Sequence, residues 1–260
     1  GRVRPEVVAK EVAATALEHL AEVGFSQSYT YFTWRNTAWE LRTYLRSLLE
    51  SGRRDFLRYN FWPNTPDILP EYLQVGGEPA HRIRLILAAT LAANYGIYGA
   101  PFERFEATPL KAGGEEYRDS EKYELRHWPE AEARPIHDLM ARLNRIRREN
   151  PPLQFDHTLL FHESDNDQLL CYSKHLGEDV LIVVVNLDFH HRQSGFISLD
   201  LDALGLELGG RFQAHDLLGG ARYLWRGNRQ FLELDPHGLP AHILRVRRHV
   251  RTEADFEYYL

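Results

Sequence analysis

Cysteine is almost missing from this sequence. Of 260 residues only Cys171 carries a thiol, so no internal disulfide can form and a reducing cytoplasm is the expected compartment. Excess positive charge is missing as well. The 31 Lys and Arg face 37 Asp and Glu, a formal net charge of -6, which offers no sequence-independent grip on a nucleic acid backbone. No apolar run reaches membrane-spanning length or sits behind a basic start, which argues against a membrane span and a signal peptide. Neither a phosphate-cradling glycine loop nor a G-x-S-x-G elbow occurs, and the 13 His show no metal-ligand spacing. No metal and no cofactor are expected; the adjacent His190 and His191 read as exposed turn residues, and Cys171, inside an apolar strand pattern, as a small core residue.

What remains is a globular composition, 43% hydrophobic and 26% charged, long enough for one or two soluble domains with a real core. Aromatics make up 12%, a stock for stacking on flat apolar faces such as those of sugars, although most aromatics fill cores.

Along the chain, the spacing predicts a helix over residues 6–23 with Val8, Val12, Leu17 and Leu20 on its stripe and Gly24 as its C-cap. Strand-to-helix units follow. Phe25–Phe32 alternates as a strand, and 37–49 returns to helical spacing with Trp39, Leu41, Tyr44, Leu45 and Leu48 on one face. Phe56–Trp62 is strand-like, a loop passes through Gly76 and Gly77, 83–93 is an apolar helix, and 95–98 is a short strand. Residues 99–133 read as a long loop. Pro135–Arg148 reads as a helix with Leu139, Leu143 and Ile146 inward and Arg142, Arg145, Arg147 and Arg148 on a solvated face. Alternating strands and helices imply a parallel sheet. A closed (β/α)8 barrel needs eight strands, and only about three are visible before residue 100, so the chain looks like a piece of one. From Thr158 the pattern becomes short strands, at 169–173, 180–186, 196–199, 212–216, 222–224, 231–234 and 241–246, punctuated by Gly, Asp, His and Pro. The fold class expected is therefore the C-terminal part of a (β/α)8 TIM barrel over 1–150 followed by a β-sandwich domain over 151–250, with 251–260 as a tail.

The chemistry-bearing residue that stands out is Asp67, left at the exit of the aromatic strand by Pro63, Asn64 and Pro66. At the C-terminal end of a barrel strand such a carboxylate is placed for catalysis, while an Asp after Pro also serves as a turn or N-cap residue. Lys122 and Tyr123, in the cluster Asp119–Arg126, could bind a hydroxylated or anionic ligand on the same side, or form the exposed start of a helix. Arg35 and Asn36 either reach that mouth or cap the helix after them.

The strings QSYTYFTWRN (27–36), NFWPNTPDIL (60–69), EEYRDSEKYELR (115–126), LNRIRREN (143–150) and PAHILRV (240–246) closely resemble the C-terminal part of the α-1,4-glucan:maltose-1-phosphate maltosyltransferases, in glycoside hydrolase family 13 of the α-amylase superfamily. The resemblance runs from about Gly24 to Arg247. It implies partners of two kinds, the donor α-maltose 1-phosphate and an α-1,4-glucan or malto-oligosaccharide acceptor, and allows a homodimer in full-length members. It implies for Asp67 the role of an acid that grips ring hydroxyls and favours the transition state, and for Lys122 and Tyr123 contacts to the far glucose of the donor. Most superfamily members carry His directly before that acid, within an N-H-D string; Asn64, Thr65 and Pro66 form the variant of the maltosyltransferase branch. Retaining transfer needs two further carboxyl groups roughly 5 to 5.5 Å apart. Neither can be placed: Arg4 and Pro5 resemble the arginine-proline that follows the acid/base Glu, with a longer spacing to Gly24, and Glu6, Glu11 and Glu18 follow no strand. The expectation is a segment inactive alone; the competing reading is a non-catalytic glucan-binding or scaffold protein derived from such an enzyme.

Overall fold

The computed structural model describes residues 19–25, 28–50, 58–118, 120–121, 125–128 and 135–248. Of the helix expected over 6–23 only the last turn falls among them, and the tail 251–260 lies outside. That turn closes at Gly24 (φ 107°), where Phe25 N–H donates to Leu20 O (3.0 Å) and Gly24 N–H to Ala21 O (3.1 Å), the paired bonds of a glycine C-cap.

Three short strands, β1 (Ser28–Tyr29), β2 (Tyr59–Phe61) and β3 (Asn94–Tyr95), pair in parallel in the order β1-β2-β3. They are shorter than the sequence pattern suggests. After β1 the backbone leaves the sheet because buried Arg84 donates to Phe32 O and Arg35 O, both at 2.6 Å, and Tyr31–Trp34 coils into a 3-10 turn. Helix α1 (Ala38–Glu50) follows and buries Leu41, Leu45 and Leu48. Trp39, expected on that face, is 73% exposed: it sits two positions, about 200°, away from Leu41 on the helical wheel.

Helix α2 (Glu71–Leu91) begins well before the apolar run and is interrupted at Gly77, whose φ of 52° and ψ of -136° suit glycine alone. The carbonyl released by the break accepts a hydrogen bond from His81 Nδ1 (2.6 Å). Beyond Pro79 the helix is apolar almost all round, and Ile83 and Leu85 to Leu91 are all buried. The long connection that follows is not wholly loop, since α3 (Gly99–Glu103) forms within it. Helix α4 (His137–Glu149) buries Leu143 and Ile146 as its spacing predicts.

One of its arginines departs from expectation. Arg142, Arg145 and Arg148 are exposed, but Arg147 turns inward and donates to Ala89 O, Ala92 O (3.1 Å), Ala93 O and Leu153 O (3.4 Å). The C-terminal carbonyls of α2 have no partner within their own helix, and this guanidinium supplies one.

Among the described residues eight antiparallel strands follow: β4 (Leu160–Ser164), β5 (Leu169–Leu176), β6 (Asp179–Asn186), β7 (Gln193–Ser198), β8 (Arg211–Asp216), β9 (Arg222–Arg226), β10 (Arg229–Leu234) and β11 (Ala241–Arg247). They form one sheet in the order β10-β7-β4-β5-β6-β11-β8-β9. Strands β9 and β10 stand at opposite ends of that order yet are joined by only Gly227 and Asn228, so the sheet must curl until its edges meet. The expected sandwich thus takes the form of a single sheet folded over its own core of Cys171, Ile182, Val184, Ile197, Phe212 and Trp225. Its other face packs on the helices: Leu170, Tyr172, Leu181, Val183, Val185 and Ile243 join the core of α1, α2 and α4. Burial on both faces is why DVLIVVVN shows no polar alternation. Tyr172 donates its hydroxyl to Thr90 Oγ1, which in turn donates to Ile86 O (2.6 Å), and Tyr72 donates to Leu187 O (2.6 Å). Among the described residues no helix is long and apolar enough to cross a membrane.

Two buried imidazoles are held neutral. Burial pushes His81 and His162 down to about 4. His162 Nδ1 accepts from Asp200 N–H (3.2 Å), which places its proton on Nε2 facing Ser173 Oγ (2.8 Å) and rules out that ring as a base for the serine.

Replacing Arg147 by Met should cost roughly 2 to 4 kcal/mol in urea unfolding, because carbonyls at the end of α2 lose their donor, whereas Arg148→Met should stay within about 0.5 kcal/mol. Acid should weaken the fold early. The unfolded histidines take up protons near their ordinary 6.5 and the folded ones only near 4, so their contribution is complete above pH 6.5 and drains away as pH falls towards 4. A melting temperature that is flat from pH 6.5 to 4.5 would contradict this, and His162→Gln should reduce the slope.

Candidate functional site

The three parallel strands all end on one side of their sheet, and the segments that leave them meet there. Thr33 Oγ1, beyond β1, donates to Trp62 O (2.8 Å) beyond β2, and Gly96 N–H, beyond β3, donates to Phe61 O (3.0 Å). A Cβ on Gly96 would fall 2.5 Å from the Trp62 ring, so the β3 exit runs flat against that indole as only glycine can. Past Trp62 the chain makes a tight turn. Thr65 and Ile68 exchange backbone hydrogen bonds (3.0 and 3.1 Å), and Pro66 and Asp67 form its exposed tip while Pro63, Asn64 and Thr65 are buried beneath.

Asn64 organises this region. Its side chain is fully buried; Oδ1 accepts from Tyr98 N–H (3.0 Å), and Nδ2 donates to Tyr98 O (3.2 Å) and Tyr117 Oη (2.7 Å). The amide thereby pairs with the backbone of Tyr98 as a neighbouring strand would, and continues the β2–β3 contact after both strands have ended. Tyr98 in turn donates its hydroxyl to Glu121 Oε2 (2.7 Å), and Trp128 Nε1 donates to Glu121 Oε1 (3.2 Å). Burial and the bond to Glu121 push the Tyr98 phenol up to about 12, and burial pushes Tyr117 higher, so both stay protonated. Further braces reach the turn from the other segments. Glu115 O accepts from Leu69 N–H (2.5 Å) while its carboxylate accepts from Trp34 Nε1 (2.8 Å), and Ser120 Oγ donates to Pro66 O (3.4 Å). The guanidinium groups of Arg126 and Arg104 lie 3.8 and 4.9 Å from the Trp128 ring centre.

Of the residues singled out in the sequence, Asp67 is therefore at the tip of a turn braced from three directions, its carboxylate in reach of solvent. Lys122 and Tyr123 lie outside the described residues, next to Glu121 in sequence. Arg35 and Asn36 serve the helix after them. Glu40 accepts from the N–H groups of Asn36 (3.0 Å) and Thr37 (3.1 Å), Thr37 Oγ1 accepts from Glu40 N–H (3.2 Å), and Arg35 lies 5.4 Å from the Tyr44 ring centre. Burial raises the Glu40 carboxyl, but those backbone donors outweigh it and hold the group below its ordinary value. Cys171 is buried with its thiol pushed well up by burial, an inert core residue, and His190 and His191 are exposed in a turn. Among the described residues no three His, Cys, Asp or Glu are grouped for a metal ion. Sequence reasoning did not single out Tyr98, Tyr117, Glu121 or Trp128, which look like ordinary aromatics and one more surface acid. The one available signal was Asn64, an amide between two prolines in an otherwise apolar stretch.

The chain is similar in sequence and in fold to known proteins. A family model described as GLGE, C-terminal matches residues 161–246. An α-1,4-glucan:maltose-1-phosphate maltosyltransferase of Streptomyces coelicolor is 50% identical over 233 residues, 88% of this chain and 34% of that protein. The corresponding enzyme of Salinibacter ruber is 44% identical over 245 residues, 93% of this chain and 37% of its own length. The chain thus spans about a third of the length of these relatives. Among solved structures, an Anoxybacillus α-amylase superposes with a TM-score of 0.67 at 12% identity, covering 90% of this chain and 50% of that one. A maltogenic α-amylase of Thermotoga neapolitana gives 0.62 at 13% identity over 86% and 51%. In fold the chain matches part of an α-amylase, and in sequence it corresponds to the C-terminal portion of the α-1,4-glucan:maltose-1-phosphate maltosyltransferases.

Proposed function

We propose that this chain is the C-terminal segment of a retaining glycosyltransferase of the cytoplasm, which moves maltosyl units from α-maltose 1-phosphate to the non-reducing end of α-1,4-glucans. The observation that carries the reading is the position of Asp67, an exposed carboxylate on a rigid turn at the C-terminal end of a parallel strand, where barrel enzymes keep their chemistry. The relatives named for this reaction support the substrate class.

In this reading β1 to β3 are the last strands of a (β/α)8 barrel reaching to about Asn150, and the folded-over sheet is the domain that follows. The parallel order with helical crossovers supports it. So does Asn60 of β2: Tyr59 and Phe61 face the helices, Asn60 faces the opposite side, and its Oδ1 is buried with no partner among the described residues, as suits a residue lining a barrel interior. Asp67 would accept hydrogen bonds from ring hydroxyls of the sugar and steady positive charge as the glycosidic bond breaks, with Lys122 and Tyr123 holding the far glucose of the donor. That is a helper's role. The nucleophile and the acid/base are assigned to no residue of this chain, so the chain alone should not turn over.

Incubated with α-maltose 1-phosphate and a malto-oligosaccharide, the purified chain should release no phosphate above background. Release that disappears in Asp67→Ala would overturn the reading and show that the chain supplies its own nucleophile.

A further inference from the structure

The most heavily used polar side chain at the strand exits is one that no saccharide could touch. Asn64 is fully buried and spends both amide hydrogens and one carbonyl lone pair on Tyr98 and Tyr117. We propose that Asn64 and Tyr98 are positioning residues of the Asp67 site: Asn64 locks the exits of β2 and β3 in register, and the Tyr98 hydroxyl passes that register to Glu121. The proposal rests on the reading of Asp67 as a saccharide ligand.

The geometry has the form of a relay. Asn64 lies three residues before Asp67, at the base of the same turn, so any shift in its amide plane tilts the carboxylate. The second partner, Tyr98, is bound through its backbone, which leaves its phenol free to reach outward to Glu121. Glu121 gathers two donors of unlike origin, the phenol from the β3 exit (2.7 Å) and the indole of Trp128 (3.2 Å), and its own N–H returns a bond to the Tyr98 oxygen (3.3 Å). Ser120, next to it, touches Pro66 O (3.4 Å), which closes the circuit back to the turn. Purely apolar packing would let these segments slide; directional bonds to both the N–H and the C=O of one residue fix their register.

Tyr98→Phe removes only the hydroxyl, and Glu121→Leu only the acceptors. Each should raise deuterium uptake in peptides covering 60–70 and 115–128 at an unchanged melting temperature, and the double variant should do no more than either single one. Glu121→Gln, which keeps one acceptor oxygen, should restore part of the protection. In titrations with maltoheptaose, Tyr98→Phe should weaken affinity by about tenfold, the value of one hydrogen bond to a charged group. Unchanged uptake in both peptides, additive effects in the double variant, or a lowered melting temperature with unchanged affinity would each overturn the proposal. If the wild-type chain takes up no saccharide, the Asp67 reading fails by itself, and the exchange experiment still decides the relay.

Discussion

The second half of α2 has no solvated face, and most of the architecture follows from covering it. From Ala80 to Leu91 nearly every side chain is buried, so the helix needs the parallel strands and α1 on one side and a second apolar surface on the other. The folded-over sheet supplies that surface with Leu170, Tyr172, Leu181, Val183 and Ile243. Apolar surface removed from water stabilises by roughly 25 cal/mol per Å2, so this contact helps to hold the sheet on the helices. Two arginines bind backbone carbonyls around it. Arg84 binds the carbonyls after β1, stacked 3.9 Å from the Phe32 ring centre, and Arg147 binds those at the end of α2. Neither has a carboxylate partner among the hydrogen bonds it makes; each serves as a cap on backbone acceptors.

That arrangement bears directly on the site. Arg84 bends the chain out of β1 and so aims Trp34 at Glu115, while the rigid α2 holds the start of β3 in place beneath Gly96 and Tyr98. The turn bearing Asp67 is then fixed by bonds among loops whose roots are buried in the core. A carboxylate so held loses little conformational freedom on meeting a ligand, which is the general requirement for a preorganised site.

Much of this was legible in the sequence where one periodicity or one residue type decided the outcome. Gly24 ended its helix and Leu143 and Ile146 faced inward, because local geometry and spacing suffice in each case, whereas the loop expected through Gly76 and Gly77 is a kink inside α2. The apolar stretches 169–173 and 180–186 were recognisable as strands by the Gly, Asp, His and Pro that punctuate them, even without alternation. What could not be seen depended on partners far away in the chain. Arg147 reads as one of four similar arginines until the end of α2 appears beside it, Trp39 reads as apolar and therefore inward, and the 3-10 turn after β1 exists because of Arg84, 49 residues beyond Arg35. The site divides the same way. Asp67 was conspicuous from its prolines, whereas the links from Asn64 to Tyr98 and Tyr117 span 34 and 53 residues and leave no trace in either neighbourhood. Lys122 and Tyr123 stood out in their charged cluster, but a specific role for them came only through the resemblance, and that role stays a proposal.

The central claim is that the strand exits around Asp67 form a saccharide site and that the rest of the surface does not. Calorimetric titration of the chain with malto-oligosaccharides of increasing length tests it most directly. Binding should be weakened by about 10- to 100-fold in Asp67→Ala, as expected for loss of a hydrogen bond to a charged group, and also in the paired Lys122→Ala and Tyr123→Ala variant. It should be untouched by Phe231→Ala, which removes an exposed aromatic from the outer sheet face. Undiminished binding in Asp67→Ala, or loss of binding in Phe231→Ala, would contradict the account and move the glucan to the β domain.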